Sequence, residues 1–558
     1  MDVKQNNKTQ GGFRQAMAWL HTWVGLWFSW LLFAVFLTGT LAVFEEPIGH
    51  WMTPEHALAE TAVHAEGVEK AGEAAALARR GQRLQFGVNY MRQAKGDADM
   101  WELWPVNRNS SHSLDAYWLE SDGGYGSMRL DPLTGAPLPM HGDGHDDGAP
   151  KVRATQGGRH FVDFHYELHS ARVGLWIVAI ATMGMLVALV SGIVVHKRIF
   201  KDFFTFRPAK GQRSWLDAHN ALAVLTIPFL FMIAYTGLAF YGFIYLPAPV
   251  VAQYGLGPAA TQHFYDDIEH SAKPPRSGVP MAPPELEPFA ARAAATLGQQ
   301  VRAVVIDHPQ DAAMRICVYG WNEQDDLQRR INVSTGMMCF AGASGAVLQV
   351  RMPGEVAGAA QSTRQVMSAL HMASFGGLVV KWLYFLCGLA GAAMMGSGAV
   401  LFMVKRRQRH GGEFGSATQR VYRLIEGLNV AAIAGLALAC IGYLWANRLL
   451  PAAMEQRADW EVRAFFLVWL LSLVHALLRP AARAWPEQLA ALVCLCLLLP
   501  LLNWLSTGDH LAAQMGRGDW ESAGVELASL AFAALAGWAA LLLNKRRSKT
   551  ASKVVLAA

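Results

Sequence analysis

Eight runs of apolar residues, at roughly 16–44, 171–196, 217–245, 376–404, 422–448, 461–478, 486–505 and 522–544, punctuate this chain. A helix needs about 20 predominantly apolar residues to cross the hydrocarbon layer. The pattern therefore predicts eight membrane helices, the sixth being the shortest. Two polar segments of comparable length, 46–168 and 246–372, separate the first run from the second and the third from the fourth. Each reads as a small α+β module. In the second, EPFAARAAATLGQQ has a helical pattern, and VRAVVID, MRICVYGW and RRINVS are strand-like. In the first, Asp131, Pro132 and Gly135 of SMRLDPLTGAPL mark a turn between extended runs, and Gly336 and Gly345 offer similar turns in the second.

The expected fold class is thus mainly α, a polytopic membrane protein with two α+β modules. Its parts are an N-terminal tail and first helix (1–45), a first module (46–168), helices two and three with a basic loop (169–245), a second module (246–372), a fourth helix (373–410) and a C-terminal extension of four helices (411–558). The first four runs are duplicated. Gly39 follows His21 at the spacing by which Gly237 follows His219, and each glycine is preceded by a threonine. LHSARVG and LHMASFG open the second and fourth runs, placing His169 and His371 alike, and Ser191-Gly192 matches Ser397-Gly398 near their ends. A parallel repeat of this kind implies a pseudo-two-fold axis along the membrane normal. The last four runs match neither copy and read as an appendage.

Composition agrees with a membrane protein: 53% of the 558 residues are hydrophobic and 16% charged, against about 25% charged in soluble domains. The net charge of +5 says less than its placement. Lys4, Lys8 and Arg14, the loop Lys197–Arg213, Lys405–Arg409, Arg479, Arg483 and Lys545–Lys549 all fall on one side of an eight-helix topology, which predicts both termini in the cytoplasm. The stretch Trp19–Phe44 is too long for a signal-peptide core and lacks a small-residue cleavage site before Glu45 and Glu46, so it reads as a permanent first span. Six cysteines show no CxxC or CxxCH spacing, which argues against covalent haem attachment and zinc ribbons. Cys317 and Cys339 share one polar segment and could pair. No phosphate-binding GxxxxGK[ST] occurs, nor a GxGxxG between strand and helix, which argues against ATP-driven transport and Rossmann-type cofactors.

Six histidines stand at the mouths of the first four helices: His21, His196 and His219 at the basic ends, His165, His169 and His371 at the module ends. Ionisable groups at such depth usually face the bundle interior, and paired imidazoles there suit haem iron. The repeat pairs His21 with His219 and His169 with His371 as metal ligands, which makes two haems, one near each face. His196 and His165 stand as neighbours or alternative ligands. A lone histidine at a helix end is ordinarily interfacial, and a proton or metal pathway would use the same residues. Gly25, Gly39, Gly174, Gly192, Gly237, Gly376, Gly377, Gly388 and Gly391 read first as helix packing, with close approach of a flat macrocycle as the alternative. Trp19, Trp23, Trp27 and Trp30 read first as interface and bundle residues, with haem-edge packing second. The tract HGDGHDD (His141 to Asp147) reads as a solvated loop.

Several stretches together carry a family resemblance: AMAWLHTWVGLWFSWLL and EEPIGHWMTPE near the start, FHYELH and the second and third runs through AHNALAVLTIPF, and SALHMASFGGLVVKWLYFLCGLAGAAMMGSGAVLFMVKRR in the fourth. They resemble the PepSY-associated transmembrane family, often called iron-regulated membrane proteins, over about residues 10 to 410. RLDPLTGAPL resembles a piece of a PepSY-type module. The resemblance implies a bacterial inner-membrane protein with periplasmic modules and two b-type haems. It also implies reduction of ferric siderophores or other ferric chelates at the periplasmic face, with electrons from a cytoplasmic or quinol donor and no role for nucleic acid. Carried onto this chain, the haem-ligand candidates are the six histidines named above. Arg172, Arg364 and Lys381 near the outer mouth are candidates for attracting anionic chelates. The rival expectation is a non-redox permease or accessory protein with peptide-binding modules. The extension after about Arg409 departs from the four-helix pattern.

Overall fold

In the computed structural model, residues 3–55, 75, 77–107, 113–121, 125–138, 153–196, 212–245, 248–257, 260, 263–264, 267–268, 273–322, 331, 334–355, 358–409 and 414–555 are described. The HGDGHDD tract, nearly all of the basic loop after His196 and most of RRINVS fall outside them. Among the described residues, eight helices are long and apolar enough to cross a membrane: Gly12–Ala42, Ala171–Val195, Gln212–Phe240, Gly377–Arg406, Gly415–Leu449, Arg457–Leu478, Ala481–Thr507 and Trp520–Asn544. They correspond to the eight apolar runs, and the chain is a mainly helical multi-pass membrane protein. Shorter helices lie between them: α1 (Glu45–Met52), α2 (Arg80–Ala94), α3 (Arg159–Glu167), α4 (Glu287–Leu297), α5 (Ala359–Met372) and α6 (Leu511–Arg517). The chain forms two compact units, one of residues 1–61, 146–238 and 381–558 and the other of 62–145 and 239–380.

The helical unit contains the spans of the duplicated bundle and those of the extension. The extension is no appendage. The fifth span contains a π-helical turn, Ala431–Gly435. Such a turn shifts the backbone hydrogen-bond ladder, and Trp469 Nε1 of the sixth span donates to the Ala431 carbonyl at 2.9 Å. At its module end the fifth span carries Asn447 and Arg448 into a buried polar network. Arg448 donates to Asn503 Oδ1 at 2.7 Å and to the Trp51 carbonyl, with its guanidinium 3.7 Å from the Trp51 ring centre. Trp51 Nε1 reaches Glu526 Oε1 at 3.3 Å, and Asn503 reaches the same oxygen at 2.8 Å. Glu461 takes bonds from Arg457, Asn447 and Thr155. Buried charges persist only when paired and hydrogen-bonded. Here the pairing joins α1 and residues 153–157 to the fifth through eighth spans, so the extension is built into the bundle.

Among its described residues the second unit holds one continuous antiparallel sheet of eight strands, in the order β4-β3-β2-β1-β5-β6-β7-β8. Strands β1 (Met100–Asn107), β2 (Ser113–Leu119), β3 (Tyr125–Leu130) and β4 (Pro137–Leu138) come from the first polar segment, and β5 (Val301–Asp307), β6 (Arg315–Gly320), β7 (Met337–Ala341) and β8 (Val347–Arg351) from the second. The separate modules expected from sequence share this sheet because β1 pairs β5, with Trp101 opposite Ile306 and Leu103 opposite Val304. Two open, apolar edges are removed by that pairing. The halves repeat in detail: Gly135 and Gly345 both take positive φ, 73° and 69°, and each donates its N–H back to residue 131 or 341 at 2.8 Å. Only glycine takes this left-handed conformation without steric cost. Helices α2 and α4 bury Leu84, Val88, Ala290 and Leu297 in a common core with Trp101, Leu103, Val304 and Ile306. Cys317 and Cys339, opposite each other on β6 and β7, form a disulfide.

Candidate functional site

Three histidines of the helical unit are held in the same way. His21 places Nδ1 2.8 Å from the Ala188 carbonyl, His219 2.9 Å from that of Met394, and His165 2.8 Å from that of Val35. Each carbonyl belongs to the residue four before a glycine, respectively Gly192, Gly398 and Gly39. A Cβ on these glycines would come within 3.0, 3.1 and 2.5 Å of the imidazole. The residue before each glycine is Ser191, Ser397 or Thr38, and its hydroxyl bonds back to the same carbonyl at 3.1, 2.8 and 3.2 Å. Thr236, before Gly237, makes the matching pair of bonds to Met232 and Ile233. The hydroxyl–glycine pairs that mark the sequence repeat are thus shelves, and on three of them a histidine ring lies.

A carbonyl only accepts, so Nδ1 carries the proton in each ring and the lone pair sits on Nε2, the nitrogen that ligates metals. At the basic end, the rings of His21 and His219 have centres 6.4 Å apart at 63°. Imidazole–metal bonds of about 2 Å, with the ring centre about 1.2 Å behind each nitrogen, put two rings on one metal a little over about 6 Å apart. The pair has that separation. A Cβ on Gly25, one turn beyond His21, would meet nothing within 4 Å, which leaves room beside the ring for a flat group. Among the described residues, no group of three or more His, Cys, Asp or Glu side chains could hold a bare ion. Two imidazoles at this separation would suit a metal whose other donors come from a bound group. His196 occupies the C-cap of the second span, its backbone N–H on the Gly192 carbonyl at 3.0 Å.

The module end differs from the expectation. His169 does not share the shelf geometry: its Nε2 lies 2.9 Å from His160 Nδ1, and its backbone takes a positive φ of 50°. The ring anchored on a backbone carbonyl at this end is therefore His165. The sequence repeat misses this because it matches His169 to His371 and offers no counterpart to His165. His160, which sequence reasoning overlooked, is fully buried and stacks between His169, centres 4.9 Å apart, and Tyr443, 4.3 Å away. Its only signal was its place in a histidine-rich stretch ahead of the second span. Burial, reinforced by the neighbouring His169, lowers its pKa to about 3, and burial likewise lowers those of His165 and His169. All three rings are therefore neutral near pH 7. One face of α3 gives His160, Phe161 and Phe164 to Tyr443, Phe465 and Trp469 of the extension, while His165 lies on Gly39 of the first span.

His371 stands in the last turn of α5 in the other unit, two residues before Ala373, whose φ of 50° closes the helix. Lys381 lies 3.9 Å from Glu46, which partly neutralises it, while Arg172 and Arg364 are exposed. The tryptophans divide: Trp19 and Trp27 face outward, whereas Trp30 donates to Asn429 Oδ1 of the fifth span at 2.7 Å and Trp23 packs in an inner cluster.

Against known proteins, residues 18–405 match the model of the PepSY-associated TM region. An uncharacterised protein of Pseudomonas aeruginosa, PA4219, is 23% identical over 373 residues, which cover 62% of this chain and 87% of that protein.

Proposed function

The chain belongs to the PepSY-associated TM region family, and from that premise we propose that it carries electrons across a bacterial inner membrane through two b-type haems and reduces ferric chelates, siderophores among them. The observation that carries this reading is the His21–His219 pair, spaced for one metal and with both Nδ1 atoms anchored on carbonyls. A bis-imidazole haem would supply one-electron chemistry at that position, with no other protein ligand needed. The residues of the chain do the rest. Serine and glycine shelves fix each ring's tautomer and orientation, and the apolar spans keep water from the site.

For the module end the reading takes His165 as a residue that would hold the haem iron. The sequence repeat nominates His371 as a second ligand candidate at that end. The basic flanks orient both termini toward the cytoplasm, and the sheet unit then lies on the periplasmic side, where the chelate is met. Siderophores hold hard Fe(III) far better than Fe(II), so a single electron releases the metal.

Purified protein from haem-replete cells should show a Soret band that shifts with dithionite and a pyridine haemochrome stoichiometry near two. His21→Ala and His219→Ala should each remove about half of the haem, and His165→Ala the other half. A colourless preparation would refute the reading in favour of a non-redox role. Retention of full haem in all three variants would refute the ligand assignment.

A further inference from the structure

We propose that the basic ends of the fifth, sixth and seventh spans form a binding site for a membrane quinol. The electron's destination rests on the haem reading above; the site itself does not. A cavity of about 800 Å³ opens there, lined by Tyr422, Arg423, Glu426, Leu477, Arg479 and Trp485 among others. That volume falls within the range of about 300–1,000 Å³ usual for small-molecule sites. Its lining is amphipathic. Trp485, Tyr422 and Leu477 offer surfaces for a flat ring, and Thr418, Gln419 and Glu426 offer polar groups for its hydroxyls.

Charge decides between ligand classes. Arg479 is already committed to Glu487 through two bonds, at 2.6 and 3.1 Å, and Glu487 also takes His475 Nε2 at 2.9 Å. Arg423 is then the one cation of the lining, among the described residues, without a carboxylate partner. A nucleotide or nucleotide-type flavin brings two or more negative charges and would leave them largely uncompensated. A neutral quinol with an apolar tail brings none.

Position supplies the rest of the argument. Tyr422, on the cavity wall, belongs with Ile425, Leu26 and Met403 to a small buried cluster against which Trp23 and Trp30 pack. Trp23 and Leu26 lie on the first span within two turns of His21. The Trp30–Asn429 hydrogen bond fastens that span to the fifth. This cluster of aromatic and aliphatic side chains therefore connects the cavity wall to the segment bearing the anchored histidine. The step would balance as follows: a quinol would give up its two electrons one at a time to the single haem that His21 and His219 would hold, the first being passed on before the second is taken, and would become a quinone. Of its two protons, the Glu426 carboxylate accepts one and bulk water the other.

The test uses the full chain in proteoliposomes with an azidonaphthoquinone photoprobe and peptide mass spectrometry. The expected result is labelling concentrated in residues 418–426 and 477–485. Excess unlabelled menadione should cut it at least tenfold, and Trp485→Leu should weaken it without changing the Soret band. Anaerobic menadiol should reduce the bound haem, about tenfold more slowly in Glu426→Gln. Labelling spread over outward-facing helices and insensitive to menadione would overturn the proposal. So would displacement by anionic phospholipid but not by menadione, which would mark a lipid-headgroup site. A colourless protein that still labels at these peptides would sink the haem reading and leave the site standing; a Soret-bearing protein that does not label would sink the site alone.

Discussion

Replacing Gly39 by alanine tests the shelf geometry most directly. The added Cβ would lie 2.5 Å from both Cε1 and Nδ1 of His165, where non-bonded carbons prefer about 3.5–4.0 Å. Backbone on a packed helix yields little, so the ring must retreat by about 1 Å. That retreat stretches the 2.8 Å bond to the Val35 carbonyl beyond hydrogen-bonding range. The lost bond costs about 0.5–1.5 kcal/mol and the overpacking about 1–3 kcal/mol, and the metal-facing nitrogen loses its fixed direction. The same change at Gly192 or Gly398, where Cβ would stand at 3.0 or 3.1 Å, asks for a shift of only a few tenths of an ångström. Gly524, in the eighth span, meets nothing within 4 Å. The expected order of haem loss is Gly39→Ala well ahead of Gly192→Ala and Gly398→Ala, with Gly524→Ala unaffected. Haem stoichiometry, a redox titration of each haem and detergent-solubilised melting curves would report it. If Gly39→Ala keeps its full haem content and unchanged midpoint potentials, the shelf argument fails.

Two further predictions concern stability. His160 has a folded-state pKa near 3, below its ordinary value of 6.5, so between those values the unfolded chain binds the extra proton. Stability should therefore be unaffected above about pH 6.5 and fall below it, by up to about 1.4 kcal/mol per pH unit until about pH 3. His160→Phe, which keeps an aromatic ring between Tyr443 and Phe465, should flatten the fall in melting temperature between pH 6.5 and 4; an unchanged slope would refute the assignment. Reducing the Cys317–Cys339 bridge, which spans 22 residues, should cost about 3 kcal/mol. The signature would be faster proteolysis of the sheet unit in dithiothreitol, with the Cys317→Ser, Cys339→Ser double variant equally fast in either buffer.

Much of this architecture was legible from residue order because membrane spans need length and apolarity and little else. All eight were visible, as were the histidines at their ends and the glycine spacing that pairs them. Side-chain direction was not legible. His165 and His169 lie four apart in one stretch, and only the turn at Leu168 and His169 decides which ring reaches the first span. The union of the two polar segments was equally hidden, since an unpaired strand edge leaves no mark in a period-two pattern. The extension's integration had a signal that was passed over. Arg448, Arg457, Glu461 and Glu526 sit at the ends of apolar spans, and ionisable residues there are seldom idle.

The pairing of β1 with β5 also sets a timetable for biogenesis. The second and third spans and the loop joining them lie between those strands in the chain. As the polypeptide leaves the ribosome, β1 must wait for all of that to be threaded and inserted before its neighbour exists. A nascent half-sheet with a bare apolar border is prone to find the wrong mate. A chaperone that shields such a border during the delay would have its greatest effect on yield at that stage, and none once β5 has docked.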